Sequence, residues 1–174
     1  MSRATRFAAG LLVWALAALM VAPVFAQINF PNFPSSAGLN LVGSTQVTGG
    51  VLRLTENRAN QQGAAWFATK QVLTQGFSTT FRFRMHGASP EDGLGIGMGF
   101  HIQNVSPTLN VGERGGAGTL TVNLSTFYTL PSGNFPNVVS VWVNDNVVVE
   151  TQPFALTINI NDQAEHTLRI DYAG

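Results

Sequence analysis

From Phe77 onward the chain alternates. Phe77, Phe81, Phe83 and Met85 are apolar at every second position with Thr79 between them, while Ser78, Thr80, Arg82, Arg84 and His86 point the other way. A period of two is that of a β-strand with one wetter face. Turn chemistry follows in GASPED, through Gly87, Pro90 and Asp92. A second alternation then sets Leu94, Ile96, Met98, Phe100 and Ile102 against Gly95, Gly97, Gly99, His101 and Gln103. A helix would lose ~1 kcal/mol at each interior glycine, so a strand is predicted. The glycine row is suited either to close packing of another layer or to the approach of a ligand.

The remaining segments share this style. GVLRLTE (50–56), GAAWFAT (63–69), GTLTVNL (118–124), NVVSVWV (137–143), VVVE (147–150), FALTINI (154–160) and HTLRIDY (166–172) are short, β-branched or aromatic, and separated by turns. Many short strands at this spacing predict an all-β sandwich or barrel. Asn144, Asp145 and Asn146 lie between two such runs and predict a tight hairpin turn. The polar, glycine-rich stretch from Val105 to Gly116 is the loop where function is expected. Trp66 and Trp142 fall within strand patterns, which places them in the core before any role in stacking on a ligand. His86, His101 and His166 show no ligand spacing.

The N-terminus changes the boundaries. Arg3 and Arg6 precede an apolar run from Phe7 to Val21, followed by Pro23 and a small residue at Ala26. That order predicts a secretory signal peptide over 1–26, cleaved after Ala26. The mature chain is one domain's worth, 27–174, with no later segment apolar enough to span a membrane as a helix. Localisation is therefore expected outside the cytoplasm, secreted, periplasmic or at the cell surface. The mature part carries seven basic and nine acidic residues, which argues against a nucleic-acid groove, since phosphate tracks need clustered Lys and Arg. With no cysteine in the chain, stability must come from core burial or bound ions, and thiolate zinc sites are excluded.

The segments NFPNFPSSAGLNLVGSTQVTGGVLRLTENRANQQGAAWF, GFSTTFRFRM, EDGLGIGMGFHIQN, GERGGAG, NVVSVWV and HTLRIDYAG together resemble the L-type, legume-lectin-like domain in its bacterial secreted form. The likeness covers 28–174. It implies a concanavalin-like jelly-roll sandwich of antiparallel sheets that binds glycans or polysaccharide through loops at one end, with a calcium and a transition-metal ion. The chain stops at HTLRIDYAG, directly after a strong strand and with Gly174 as if entering a turn, which would leave an edge or face uncovered; either the fold closes compactly there or, as is expected, the domain is incomplete at its C-terminus. Residue by residue, Asp92 resembles the family's sugar-binding aspartate, and Gly115 or Gly116 the loop glycine whose N–H donates to the sugar. A carboxylate can accept paired hydroxyls, and a glycine lets the sugar ring approach closely.

The chain also departs from the family pattern. NVVSVWVNDN places Trp142 and Asn144 where the family strand supplies a glutamate and an aspartate to the ions, and the family histidine would fall near Ala155. The transition-metal site is accordingly expected to be absent, and any calcium site to be remodelled around the oxygens of Asn144, Asp145 and Asn146, with Asp162 as a further candidate, because calcium wants six to eight oxygen ligands. No E-x-D-x-E strand exists to place two carboxylates for glycoside hydrolysis, and no G-x-S-x-G elbow for acyl transfer. A binding protein is expected, not an enzyme. The alternative is a non-catalytic structural or adhesive surface module, without metal-dependent sugar binding, whose partner is itself or an envelope protein.

Overall fold

The computed structural model describes residues 28–58, 60–85, 97–126, 128–130, 133–135, 137–150 and 158–173. Every secondary-structure element among them is a strand. In chain order these are β1 (Leu39–Gly43), β2 (Gln46–Thr48), β3 (Val51–Arg53), β4 (Gly63–Phe67), β5 (Phe77–Phe83), β6 (Gly97–Gln103), β7 (Thr119–Ser125), β8 (Tyr128–Leu130), β9 (Gly133–Phe135), β10 (Val138–Val143), β11 (Asn146–Glu150) and β12 (His166–Tyr172). Every strand pair is antiparallel. The fold is all-β, as the period-two patterning predicts, and jelly-roll-like, as the family resemblance implies, and all its strands lie in the unit Pro31–Gly174.

The central layer is a four-stranded sheet in the order β11-β10-β7-β6. Its register sets Met98, Leu124 and Val139 side by side across three strands. That apolar row packs against the β12-β5 pair, where Leu168 lies opposite Phe81. Phe83, Met85, Leu124 and Ile160 form the buried centre, with Phe81, Met98, Val139 and Leu168 around it. The alternation read from Phe77 to Met85 is thus the core face of β5. Phe81 stacks on Phe100 across the two layers, with ring centroids 6.2 Å apart.

A second cluster lies around the β1-β4 pair. Ala64 and Trp66 of β4 are buried with Val111, and Val42 and Leu109 pack against them. Val111 and Leu109 come from the glycine-rich stretch between β6 and β7, which folds back as a layer of its own instead of standing in solvent.

Two expectations need amendment. FALTINI (154–160) does not continue as a strand in its described part, 158–160. Asn137 Oδ1 takes the Ile160 backbone N–H at 3.2 Å in place of a ladder partner, and the Ile160 side chain drops into the core. The β8-β9 hairpin goes beyond what the sequence pattern predicts, because its strands are three residues each and carry no run of alternation. Leu94 and Ile96, the start of the second alternation, lie outside the described residues. No described helix is long and apolar enough to cross a membrane.

Candidate functional site

The face of the central sheet opposite the core is polar. β7 turns Thr119, Thr121, Asn123 and Ser125 to it, and all four are buried. Register places Gly99 and Ser140 on either side of Asn123, and His101 and Trp142 on either side of Thr121. Burying such a row costs free energy unless each group is hydrogen-bonded. Here the partners come from the sheet itself and from the loop above it.

Two chains of hydrogen bonds run through this layer. In the first, Trp142 Nε1–H donates to Ser140 Oγ at 2.7 Å, Ser140 donates to Asn123 Oδ1 at 3.2 Å, and Asn123 Nδ2 donates to the Glu113 carbonyl at 3.1 Å. In the second, His101 Nδ1 meets Thr121 Oγ1 at 2.8 Å, Thr121 donates to Thr119 Oγ1 at 3.4 Å, and Thr119 donates to the Gly116 carbonyl at 2.7 Å. Because the Thr121 hydroxyl proton is directed at Thr119, His101 Nδ1 must carry the proton in its own bond. Each chain starts on the sheet and ends on the loop.

The glycines of β6 make room for that loop. A Cβ at Gly97 would overlap the Glu113 side chain, and one at Gly99 would overlap the Glu113 carbonyl and the His101 ring. Close packing, not a bare ligand surface, is therefore what Gly97 and Gly99 serve. Gly95 lies outside the described residues. Trp66 fastens the loop further upstream, donating Nε1–H to the Leu109 carbonyl at 2.8 Å. His101 lies beneath the loop with its ring 6.0 Å from that of Trp66. Burial holds its pKa down at about 4, so the imidazole is neutral at ordinary pH.

Gly115 and Gly116 sit at the end of this loop, and their surroundings differ. Gly115 is left-handed at φ 83°, and a Cβ there would strike the hydroxyls of Thr119 and Thr121. Its N–H donates to the Gly112 carbonyl at 3.0 Å. A Cβ at Gly116 would meet only open space. The Gly116 N–H donates to Thr119 Oγ1 at 2.9 Å, closing a small ring with the bond that Thr119 returns to its carbonyl.

The turn expected at 144–146 is the next neighbour. Asn144 and Asp145 both have positive φ, 51° and 66°, the type I′ geometry of a two-residue hairpin between β10 and β11. Asn144 Oδ1 accepts the Gly118 N–H at 2.9 Å, and the Asn144 N–H donates to the Thr119 carbonyl at 3.0 Å. The Asn146 amide donates to the Asn144 carbonyl at 2.9 Å. The structure thus brings the glycine pair and the Asn144–Asn146 turn together at one end of the sheet. Asp92 lies outside the described residues.

The donor set of this turn suits a calcium ion poorly. Asp145 supplies its only carboxylate, and Asn144 Oδ1 already accepts a backbone N–H. Among the described residues no three His, Cys, Asp or Glu side chains gather where they could hold a metal ion. Arg114 brings a cation nearby instead, its guanidinium carbon 5.2 Å from the centroid of the Trp142 ring.

The polar face of β7 is the feature that sequence reasoning passed over. Its signal was present as the alternation Thr119, Thr121, Asn123, Ser125 within a segment already read as a strand.

A family model described as the legume-like lectin family matches residues 27–148. The match takes in β1 to β10, the loop between β6 and β7, and the 144–146 turn. No curated protein matches the chain.

Proposed function

The chain belongs to the legume-like lectin family, and from that premise we propose that it is an exported protein that binds carbohydrate through the loop end of the central sheet. Membership of a lectin family accords with a binding protein and not with an enzyme. The observation that carries the reading is the open space in front of the Gly116 α-carbon, at a loop end that Thr119 and Gly118 tie to the Asn144–Asn146 turn. A sugar ring could come against the backbone there without meeting a side chain. Asp92 is the proposed acceptor for sugar hydroxyls, with Gly115 and Gly116 lining the approach. A hydroxyl oxygen could take the Gly116 N–H in place of Thr119 Oγ1, one hydrogen bond exchanged for another at small net cost. If calcium takes part, Asp145 with Asn144 and Asn146 is where it would be seated.

A few hydrogen bonds on an open site give weak single-site affinity, so multivalent display is needed to see it. Screening a multimerised form against a glycan array, beside Asp92→Ala and Gly116→Leu, tests the proposal. Binding to a defined glycan class that both substitutions weaken is the expected result. No binding to any glycan, or binding untouched by both substitutions, would overturn it.

A second reading is favoured by a different observation. The N–H groups of Gly115 and Gly116 and Oδ1 of Asn144 are all engaged internally, and β11 exposes Val147, Val148 and Val149. A module that keeps the family fold but adheres by surface complementarity, to itself or to an envelope protein, would look like this. Concentration-dependent self-association without glycan binding would select it.

A further inference from the structure

We infer that Asn123 is the positioning residue of the glycine-rich loop, holding it on the sheet by a side-chain relay that needs no divalent ion. Asn123 is fully buried at the centre of β7. Its amide uses both ends: Oδ1 takes the Ser140 hydroxyl proton, and Nδ2 donates to the Glu113 carbonyl. Ser140 is oriented in turn by the indole N–H of Trp142. The three side chains come from two neighbouring strands in direct register, Ser140 opposite Asn123 and Trp142 two residues along, so their relative positions are set by the sheet and not by the loop.

The direction of the bonds makes Asn123 irreplaceable by its closest relatives. An aspartate would match its shape and still accept from Ser140, but would turn a carboxylate oxygen toward the Glu113 carbonyl, acceptor against acceptor. An alanine or leucine would leave that carbonyl and the Ser140 hydroxyl without their partner. Glu113 is also the residue that fills the space over Gly97 and Gly99, so the glycines admit the loop and Asn123 fastens it. Gly115 and Gly116 follow after Arg114 in the chain, and their placement depends on that fastening. As a device for sugar recognition this rests on the function proposed above; the fastening of the loop does not.

Trypsin offers a readout on the folded protein that requires no ligand. Arg114 lies next to Glu113 in the loop, and Arg169 lies within β12. When opening is fast relative to cleavage, the cleavage rate tracks the population of the open form. Asn123→Asp is expected to raise cleavage after Arg114 by at least about tenfold while cleavage after Arg169 stays as in the wild type. Ser140→Ala, which removes the middle of the relay and little volume, is expected to raise it by about threefold. A chelator should leave the wild-type rate unchanged.

Unaltered cleavage after Arg114 in both variants would overturn the inference, as would a chelator that speeds wild-type cleavage as much as Asn123→Asp does. If Asn123→Asp loosens the whole protein, seen as parallel cleavage after Arg169, the Ser140→Ala result decides. Failure of wild-type glycan binding would end the sugar reading and leave the cleavage result standing.

Discussion

Trp142 donates its indole N–H to Ser140 two residues back on the same strand, at 2.7 Å. The side chain is buried at 8% exposure, with the Arg114 guanidinium over its ring. An indole so placed is a structural member of the polar layer and is not available to stack on a sugar. Trp142→Phe keeps a ring but removes the donor and leaves a gap, and should cost ~1–3 kcal/mol of stability. Urea unfolding of the two proteins measures this; equal midpoints would contradict the placement.

Gly115 and Gly116 are neighbours with opposite tolerances. Gly115→Ala puts a Cβ at positive φ and into two threonine hydroxyls, and should destabilise by ~1–3 kcal/mol. Gly116→Ala meets nothing and should leave stability within ~0.5 kcal/mol. The larger Gly116→Leu should also fold, yet fill the space in front of the loop and abolish glycan capture. Thermal melts of the three variants, followed by the array for the stable ones, separate folding from recognition. A Gly116→Leu protein that binds glycan as the wild type does would remove Gly116 from the site.

Much of this was readable in the chain. The alternation from Phe77 to Met85 and the HTLRIDY segment both emerged as core strands in register, because burial of one face fixes a period-two pattern firmly. The turn at Asn144 and Asp145 was readable because few residues accept two positive φ values in succession. The role of the β6 glycines was not, since a missing side chain says that something approaches but not what. Nor was the relay, because Asn123, Ser140 and Glu113 meet only after β7 and β10 pair and the loop folds back. Local sequence carries strand periodicity; it does not carry the register that brings Asn123 to Ser140.

Divalent ions provide a separate test. An ion bound only by the folded state must stabilise it, by ~2.7 kcal/mol at a hundredfold excess over Kd. With one carboxylate at the 144–146 turn and Asn144 Oδ1 already accepting from Gly118, calcium plus manganese and chelator are expected to give the same unfolding midpoint. A rise of several degrees with calcium that disappears in Asp145→Asn would instead seat the ion at this turn.

Acid should loosen the loop through His101. Its folded-state pKa is depressed to about 4 from an unfolded value of 6.5, because burial disfavours the charged ring. Above the unfolded pKa both states are neutral and the group contributes no pH dependence. Between 6.5 and about 4 the unfolded chain binds a proton that the folded one refuses, so stability falls as pH falls. The limiting slope for one proton is ~1.4 kcal/mol per pH unit, and it flattens below the folded value, where both states are charged. The groups that the structure sets against the ring are Thr121 on β7 and Trp66 on β4. Neither is a carboxylate that would compensate an imidazolium. The depressed pKa values of Asp162 and Asp171 remove stability in the same direction but only as pH falls past the ordinary carboxylate range, so the window from 6.5 to about 4 reports mainly on His101. His101→Gln retains a side-chain donor for Thr121 and cannot titrate. Urea midpoints measured at half-unit steps from pH 7 to pH 4 should decline in the wild type and stay nearly level in His101→Gln down to about pH 4.5. Parallel declines in both proteins would show that His101 is not the group that titrates.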